Sequence, residues 1–122
     1  MKMTMKKTFL FLLTIAGIAA CATTHAAIHA DVVINEIAWM GNANSANDEW
    51  IELFNTTQNP IDFSGWRLTS ADQKLKINLK GIIPSQAFYL LERTDDTSTP
   101  NLPADIIYKG DLNNSGENLI LY

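Results

Sequence analysis

After Asp31 the chain shows no amphipathic 3.6-residue period longer than about two turns. It shows short β-rich runs separated by turn-forming clusters, the pattern of an all-β sandwich or barrel. Val32 to Trp39 (VVINEIAW) reads as a first strand, and Gly41 to Asp48 (GNANSAND) as a polar loop. Glu49 to Asn55 (EWIELFN) reads as a second strand. Ile51 and Leu53 fall on one of its faces, and Trp50, Glu52 and Phe54 on the other. Thr56 to Pro60 reads as a turn. Ile61 to Ser70 contains a Ser-Gly break and then a strand around Trp66 and Leu68. Lys74 to Leu79 alternates Leu75, Ile77 and Leu79 with Lys74, Lys76 and Asn78, which gives one wet face. Gly81 to Pro84 reads as a turn. Ala87 to Glu92 (AFYLLE) is apolar almost throughout, the mark of a strand buried on both faces. A loop rich in Asp, Thr and Pro follows from Thr94 to Pro103. Ile106 to Tyr108 and Asn118 to Tyr122 complete about seven strands. The expected core is Ile37, Ile51, Leu53, Leu68, Ile77, Phe88, Leu90 and Leu119.

A total of 122 residues is room for one domain. Charge is uneven along it. Lys2, Lys6 and Lys7 sit in an acid-free start, whereas the stretch from Asp31 holds six basic and thirteen acidic residues, or −7. The single cysteine, Cys21, excludes an internal disulfide framework and a Cys-rich zinc site. Both histidines, His25 and His29, precede the domain, so neither a Ser-His-Asp site nor a His-ligated zinc can form inside it. An acidic domain is also a poor non-specific ligand for nucleic acid, because it lacks the counterion-release contribution.

The first thirty residues read as an address. A basic start is followed by an uncharged apolar run of 12 residues, Phe9 to Ala20, and then by small residues. About 20 apolar residues are needed to cross a bilayer, so a cleaved export signal is expected instead of a membrane anchor. Cleavage after Ala26 or Ala30 suits a signal peptidase, and the second would leave Asp31 as the mature terminus. Ile18-Ala19-Ala20-Cys21 resembles a lipobox, which would place cleavage after Ala20 and a lipid on Cys21. Both routes stay open on the residues alone. Either one puts residues 31–122 outside the cytoplasm.

Five stretches in order carry a resemblance. They are Ile34-Asn35-Glu36-Ile37-Ala38-Trp39, Asp48 to Asn55, Ile61 to Leu68, Ile83-Pro84 before Phe88 to Leu91, and Ser115-Gly116-Glu117-Asn118-Leu119. Over Val32 to Tyr122 the chain resembles the lamin tail domain family as found in exported bacterial proteins. The resemblance implies an immunoglobulin-like β-sandwich that is a non-enzymatic interaction module in animal lamins. In bacteria the domain occurs alone or beside hydrolase domains. Family members continue past Gly-Glu-Asn-Leu through a turn into a closing strand, whereas this chain stops at Tyr122 in an apolar run. The expectation is a sandwich lacking its final strand, or a fragment of a longer reading frame.

Asp48, Glu49 and Glu52 cluster, and Glu36 would approach Glu52 if the first two strands pair. Paired carboxylates suit general acid–base work or Ca²⁺, as does the loop pair Asp95 and Asp96. The simpler reading is a solvated face plus hydrogen bonds to turn amides, so no metal, cofactor or catalytic residue is assigned. Trp39, Met40 and Trp50 are the candidate partner surface for protein or glycan. Trp39 is expected to be partly exposed, while tryptophans in general pack. Lys74, Lys76 and Lys80 read as a solubilising edge. Asn55-Thr56-Thr57 and Asn113-Asn114-Ser115 fit the glycosylation sequon but read as turns. The leading functional expectation is an exported, non-enzymatic binding module at the envelope or beyond. The competing one is an accessory domain of a secreted hydrolase or nuclease. A strand-swapped homodimer is a further expectation, from the uncovered last strand.

Overall fold

The computed structural model describes residues 31–122. The leader, the three cleavage positions and Cys21 lie outside the described residues. Nine strands are present among the described residues. They are β1 (Val32–Ala38), β2 (Trp50–Asn55), β3 (Ile61–Asp62), β4 (Arg67–Ser70), β5 (Lys76–Asn78), β6 (Ile82–Ile83), β7 (Phe88–Arg93), β8 (Ile106–Tyr108) and β9 (Leu119–Leu121). One sheet has the order β1-β2-β7-β8, a second β5-β4-β9, and a small ribbon pairs β3 with β6. All pairings are antiparallel except that of β7 with β8. The architecture is an immunoglobulin-like β-sandwich.

The core follows from strand alternation. On β2, Ile51, Leu53 and Asn55 are buried and the residues between them are half-exposed. Leu68 and Ile77 come from the second sheet, and Phe63 and Ile83 from the ribbon and the turn after it. Ser64 and Gly65 break Ile61 to Ser70 into β3 and β4. Trp66 N–H closes the turn on the Phe63 carbonyl at 3.0 Å. Asp62 accepts from the Ser64 amide at 2.8 Å and from its hydroxyl at 2.7 Å, which holds the carboxyl below its ordinary range.

Three expectations change. Gly81 to Pro84 is not only a turn, because Ile82 and Ile83 form β6 against β3, with Ile83 opposite Ile61. A two-residue strand enclosed by Gly and Pro is too short to show a period. Phe88 is 55% exposed instead of buried. It lies on the outer face of β7, opposite Phe54, with ring centroids 4.8 Å apart. Ile37 and Leu119 are only half-buried, at the open side of the sandwich. Ile51, Leu53, Leu68, Ile77 and Leu90 are buried.

The run from Tyr89 to Glu92 is buried on both faces. The sandwich interior covers one face, and the loop after β7 turns back over the other. The fully buried Glu92 carboxylate accepts from the amides of Ser98 at 3.1 Å and Thr99 at 2.8 Å, and from the Thr99 hydroxyl. The Leu90 amide bonds Asp105 at 2.8 Å. Phe88 lies one step before this cover begins.

Candidate functional site

An apolar groove of about 270 Å³ runs along the open side of the sandwich, walled by Ile37, Trp39, Leu112, Gly116, Glu117 and Leu119. Ile37 comes from the end of β1, Trp39 from the residue just after it and Leu119 from β9, so the groove spans the two large sheets. Its third wall is the loop before β9. Leu112 is buried, and its amide donates to the Glu49 carboxylate at 3.0 Å. The Asn113 amide bonds Glu117 at 3.3 Å, and the Asn113 side chain accepts from Ser115 N–H at 2.9 Å. These bonds set the loop as a fixed wall.

Beside the groove Trp39 is 48% and Met40 65% exposed. The next turn is rigid. Gly41 has φ +66°, and a Cβ there would run into the backbone of Ser45 and Ala46. Asn42 accepts from the amides of Asn44 at 2.7 Å and Ser45 at 3.1 Å, and Ser45 accepts from Asn47 at 3.0 Å. The polar, small-residue composition of this loop thus holds two large apolar side chains out at its base. Trp50 does not join them. It stands opposite Ala38, half-buried on the outer face of the sheet with Glu52 and Phe54. Because neighbouring strand residues alternate faces, Trp39 and Trp50 do not form one platform. Trp66 is half-buried and packs against Phe63, at 5.5 Å between centroids.

The candidate carboxylates separate in the same way. Glu49 is 3% exposed and pairs with Arg93 at 3.2 Å while accepting from Leu112. Burial raises its pKa above the ordinary 4.5, against the lowering pull of the Leu112 amide and Arg93. It holds loop and strand together. Glu36 is opposite Glu52 in the β1–β2 register, beside a bulge that leaves Asn35 without a register partner. The Asn35 side chain donates to Glu52 at 2.6 Å. Asp48 is half-exposed at the loop end. Asp95 accepts from the Thr97 hydroxyl within its own turn, and Asp96 accepts from the Ala104 amide at 2.7 Å across the loop. Among the described residues no three His, Cys, Asp or Glu side chains converge as a metal site would require. The exposed Lys74 pairs with Asp72 at 3.0 Å.

Asn55 carries the largest share of buried polar bonding that the sequence did not reveal. It is fully buried and donates to the carbonyls of Asn59 at 2.8 Å and Pro84 at 2.9 Å. It accepts from the Thr57 amide at 2.9 Å and hydroxyl at 2.8 Å. Its position on the Ile51–Leu53 face was the available signal for burial. Asn55→Ala is expected to lower unfolding free energy by about 1–3 kcal/mol, because it strands these groups inside. Urea denaturation checks this, and an unchanged midpoint would contradict it.

Two comparisons bear on this architecture. No curated protein aligns significantly with the chain. The family model for the lamin tail domain matches residues 25–122, which includes every strand, the groove and the Glu49-anchored loop. That family is one of immunoglobulin-like, non-catalytic domains, and with four-fifths of its length matched the chain belongs to the lamin tail domain family.

Proposed function

We propose that this protein is a non-enzymatic interaction module that works outside the cytoplasm, at the envelope or beyond it. The observation that carries the reading is the exposure of Trp39 and Met40 on a rigid turn beside the apolar groove. Large apolar side chains held in water by a structured turn cost solvation, and contiguous apolar surface of this kind marks contact sites. An aromatic ring and a flexible thioether are adaptable contacts for a protein or glycan partner. The buried Glu49 fixes the opposite wall through the Leu112 amide and Arg93. Export is supported by the basic start and the 12-residue apolar run. The lipobox-like Cys21 supports tethering after processing.

The test has two parts. Intact mass of the protein from the exporting host is expected to show loss of the first 20, 26 or 30 residues, with added lipid mass only in the first case. A full-length cytosolic product would refute export. Purified protein is then mixed with isolated envelope fractions. Wild type is expected to co-sediment, and the pair Trp39→Ala with Met40→Ser to lose most of that retention. Equal retention of both forms would refute the Trp39–Met40 surface. Release of a hydrolase or nuclease in one polypeptide with this domain would favour the accessory-domain reading.

A further inference from the structure

We infer that the outer face of β1, β2 and β7 docks an extended segment of another protein, one with an arginine or lysine flanked by apolar residues at alternate positions. This surface is separate from Trp39 and Met40, and either can fail without the other.

Strand alternation builds the face. Ile51 and Leu53 of β2 turn inward, so Trp50, Glu52 and Phe54 turn outward. The register sets Val33 on one side of Phe54 and Phe88 on the other. Val33 is 38% and Phe88 55% exposed, and the Phe54 and Phe88 rings lie 4.8 Å apart between centroids. These three side chains make an apolar row across three strands. Contiguous apolar surface of this kind marks contact sites.

The charges beside the row select its occupant. Glu36 stands opposite Glu52. Like charges directly opposite on neighbouring strands destabilise a sheet. The Asn35 amide donates to Glu52 at 2.6 Å but neutralises nothing. Among the described residues neither carboxylate is in an ion pair. No basic residue lies on β1 or β2. Three of the domain's own cations are engaged elsewhere: Arg93 with Glu49, Lys74 with Asp72, and Arg67 over the Tyr122 ring at 5.0 Å. A cation brought by a partner relieves the Glu36–Glu52 repulsion.

Spacing gives the shape of that partner. Trp50, Glu52 and Phe54 follow one another along β2 at steps of about 7 Å. An extended segment laid along β2 presents every second side chain at the same interval. An apolar–cation–apolar alternation therefore meets Trp50, the two carboxylates and Phe54 in turn. Guanidinium fits best, because it takes carboxylates in its plane and stacks on aromatic faces. An exposed ion pair alone contributes little, so the apolar row has to share the contact. A neutral glycan would stack on the rings but leave Glu36 and Glu52 uncompensated. The acidic domain also steers a cationic segment toward itself.

The test titrates the full chain, isolated from the exporting host, with a capped pentapeptide Phe-Ser-Arg-Ser-Phe, followed by amide NMR. Saturable shifts are expected along β1, β2 and the start of β7, and they should weaken as salt is added. Glu36→Gln with Glu52→Gln, and separately Phe88→Ser, should each lower affinity about threefold to tenfold. Asp95→Asn with Asp111→Asn removes the same charge elsewhere and should leave affinity unchanged, as should Trp39→Ala with Met40→Ser. A second readout needs no ligand. Glu36→Gln should hold or raise the urea midpoint, because it removes the like-charge pair. Equal affinity for the peptide with Gln in place of Arg would overturn the inference. So would an equal loss in the Asp95–Asp111 variant, or a lowered midpoint in Glu36→Gln. Cellohexaose bound at this face while the peptide is not would assign the surface to glycan instead.

Discussion

Replacing Glu49 with alanine is expected to remove about 3–5 kcal/mol of folding stability, the range for breaking a buried ion pair by deleting one partner. The lower end suits this pair, because Arg93 keeps 20% side-chain exposure against 3% for Glu49. Two groups lose their acceptor together. Arg93 retains a partly buried charge, and the Leu112 amide is left without its carboxylate at the groove wall. Domains of this size have about 5–15 kcal/mol in total, so the fraction lost is large. Urea unfolding reads the loss, and a midpoint within experimental error of the wild type would contradict it. The pH dependence has a sign of its own. Burial raises the Glu49 pKa, so the folded state keeps its proton to higher pH than the unfolded chain does. Between 4.5 and the raised folded value the unfolded chain binds fewer protons, and stability falls as pH rises. Glu49→Gln should abolish that slope. Asp62 and Asp72 act oppositely at lower pH. Asp72 is held at about 2 by the Ser70 hydroxyl first and then by the Lys74 amide. Stability from these two is present above 3.8 and lost as pH falls below it. Thermal midpoints should therefore peak between the two windows in the wild type.

Phe63→Ala should cost about 3–5 kcal/mol, as deletion of a fully buried aromatic leaves a cavity that its neighbours fill only in part. Phe63 is fully buried and stands at the meeting point of the ribbon and both large sheets. Its ring meets Tyr89 edge-on at 4.9 Å and Trp66 at 5.5 Å. Its amide bonds the Gly81 carbonyl at 2.9 Å, and the Tyr89 hydroxyl bonds the Lys80 carbonyl at 2.8 Å. Loss of the ring thus loosens the β3–β6 ribbon and one face of β7 together. Phe63→Leu keeps apolar volume and should lose less. Equal stability of the alanine variant and the wild type, by calorimetry, would show that the ribbon does not depend on this ring.

Glu49 and Trp50 show where reading by residue type stops. Both are adjacent to a polar loop; by residue type Glu49 belongs on the surface, and Trp50 belongs either in the packing or on a partner surface. Whether Glu49 faced water or Arg93 depended on Arg93, 44 positions further on, and on the loop at Leu112. A contact across such a separation leaves no local period. Trp50 and Trp39 are likewise near in sequence and on different faces, because the β1–β2 register puts Trp50 opposite Ala38.

Local alternation was legible where one face of a strand meets water, as with Leu75, Ile77 and Leu79 against Lys74, Lys76 and Asn78. Turn residues marked the breaks, as at Ser64-Gly65, and five ordered motifs indicated the family. These are short-range signals, set by backbone geometry and the period of two. Tertiary structure alone decided that Phe88 lies beyond the cover over β7, that Asn55 supports the turn after β2, and that Ile37, Trp39 and Leu119 share one groove. Each of those outcomes depends on which distant segment arrives to satisfy or cover the group, and burial is a property of that meeting and not of the residue.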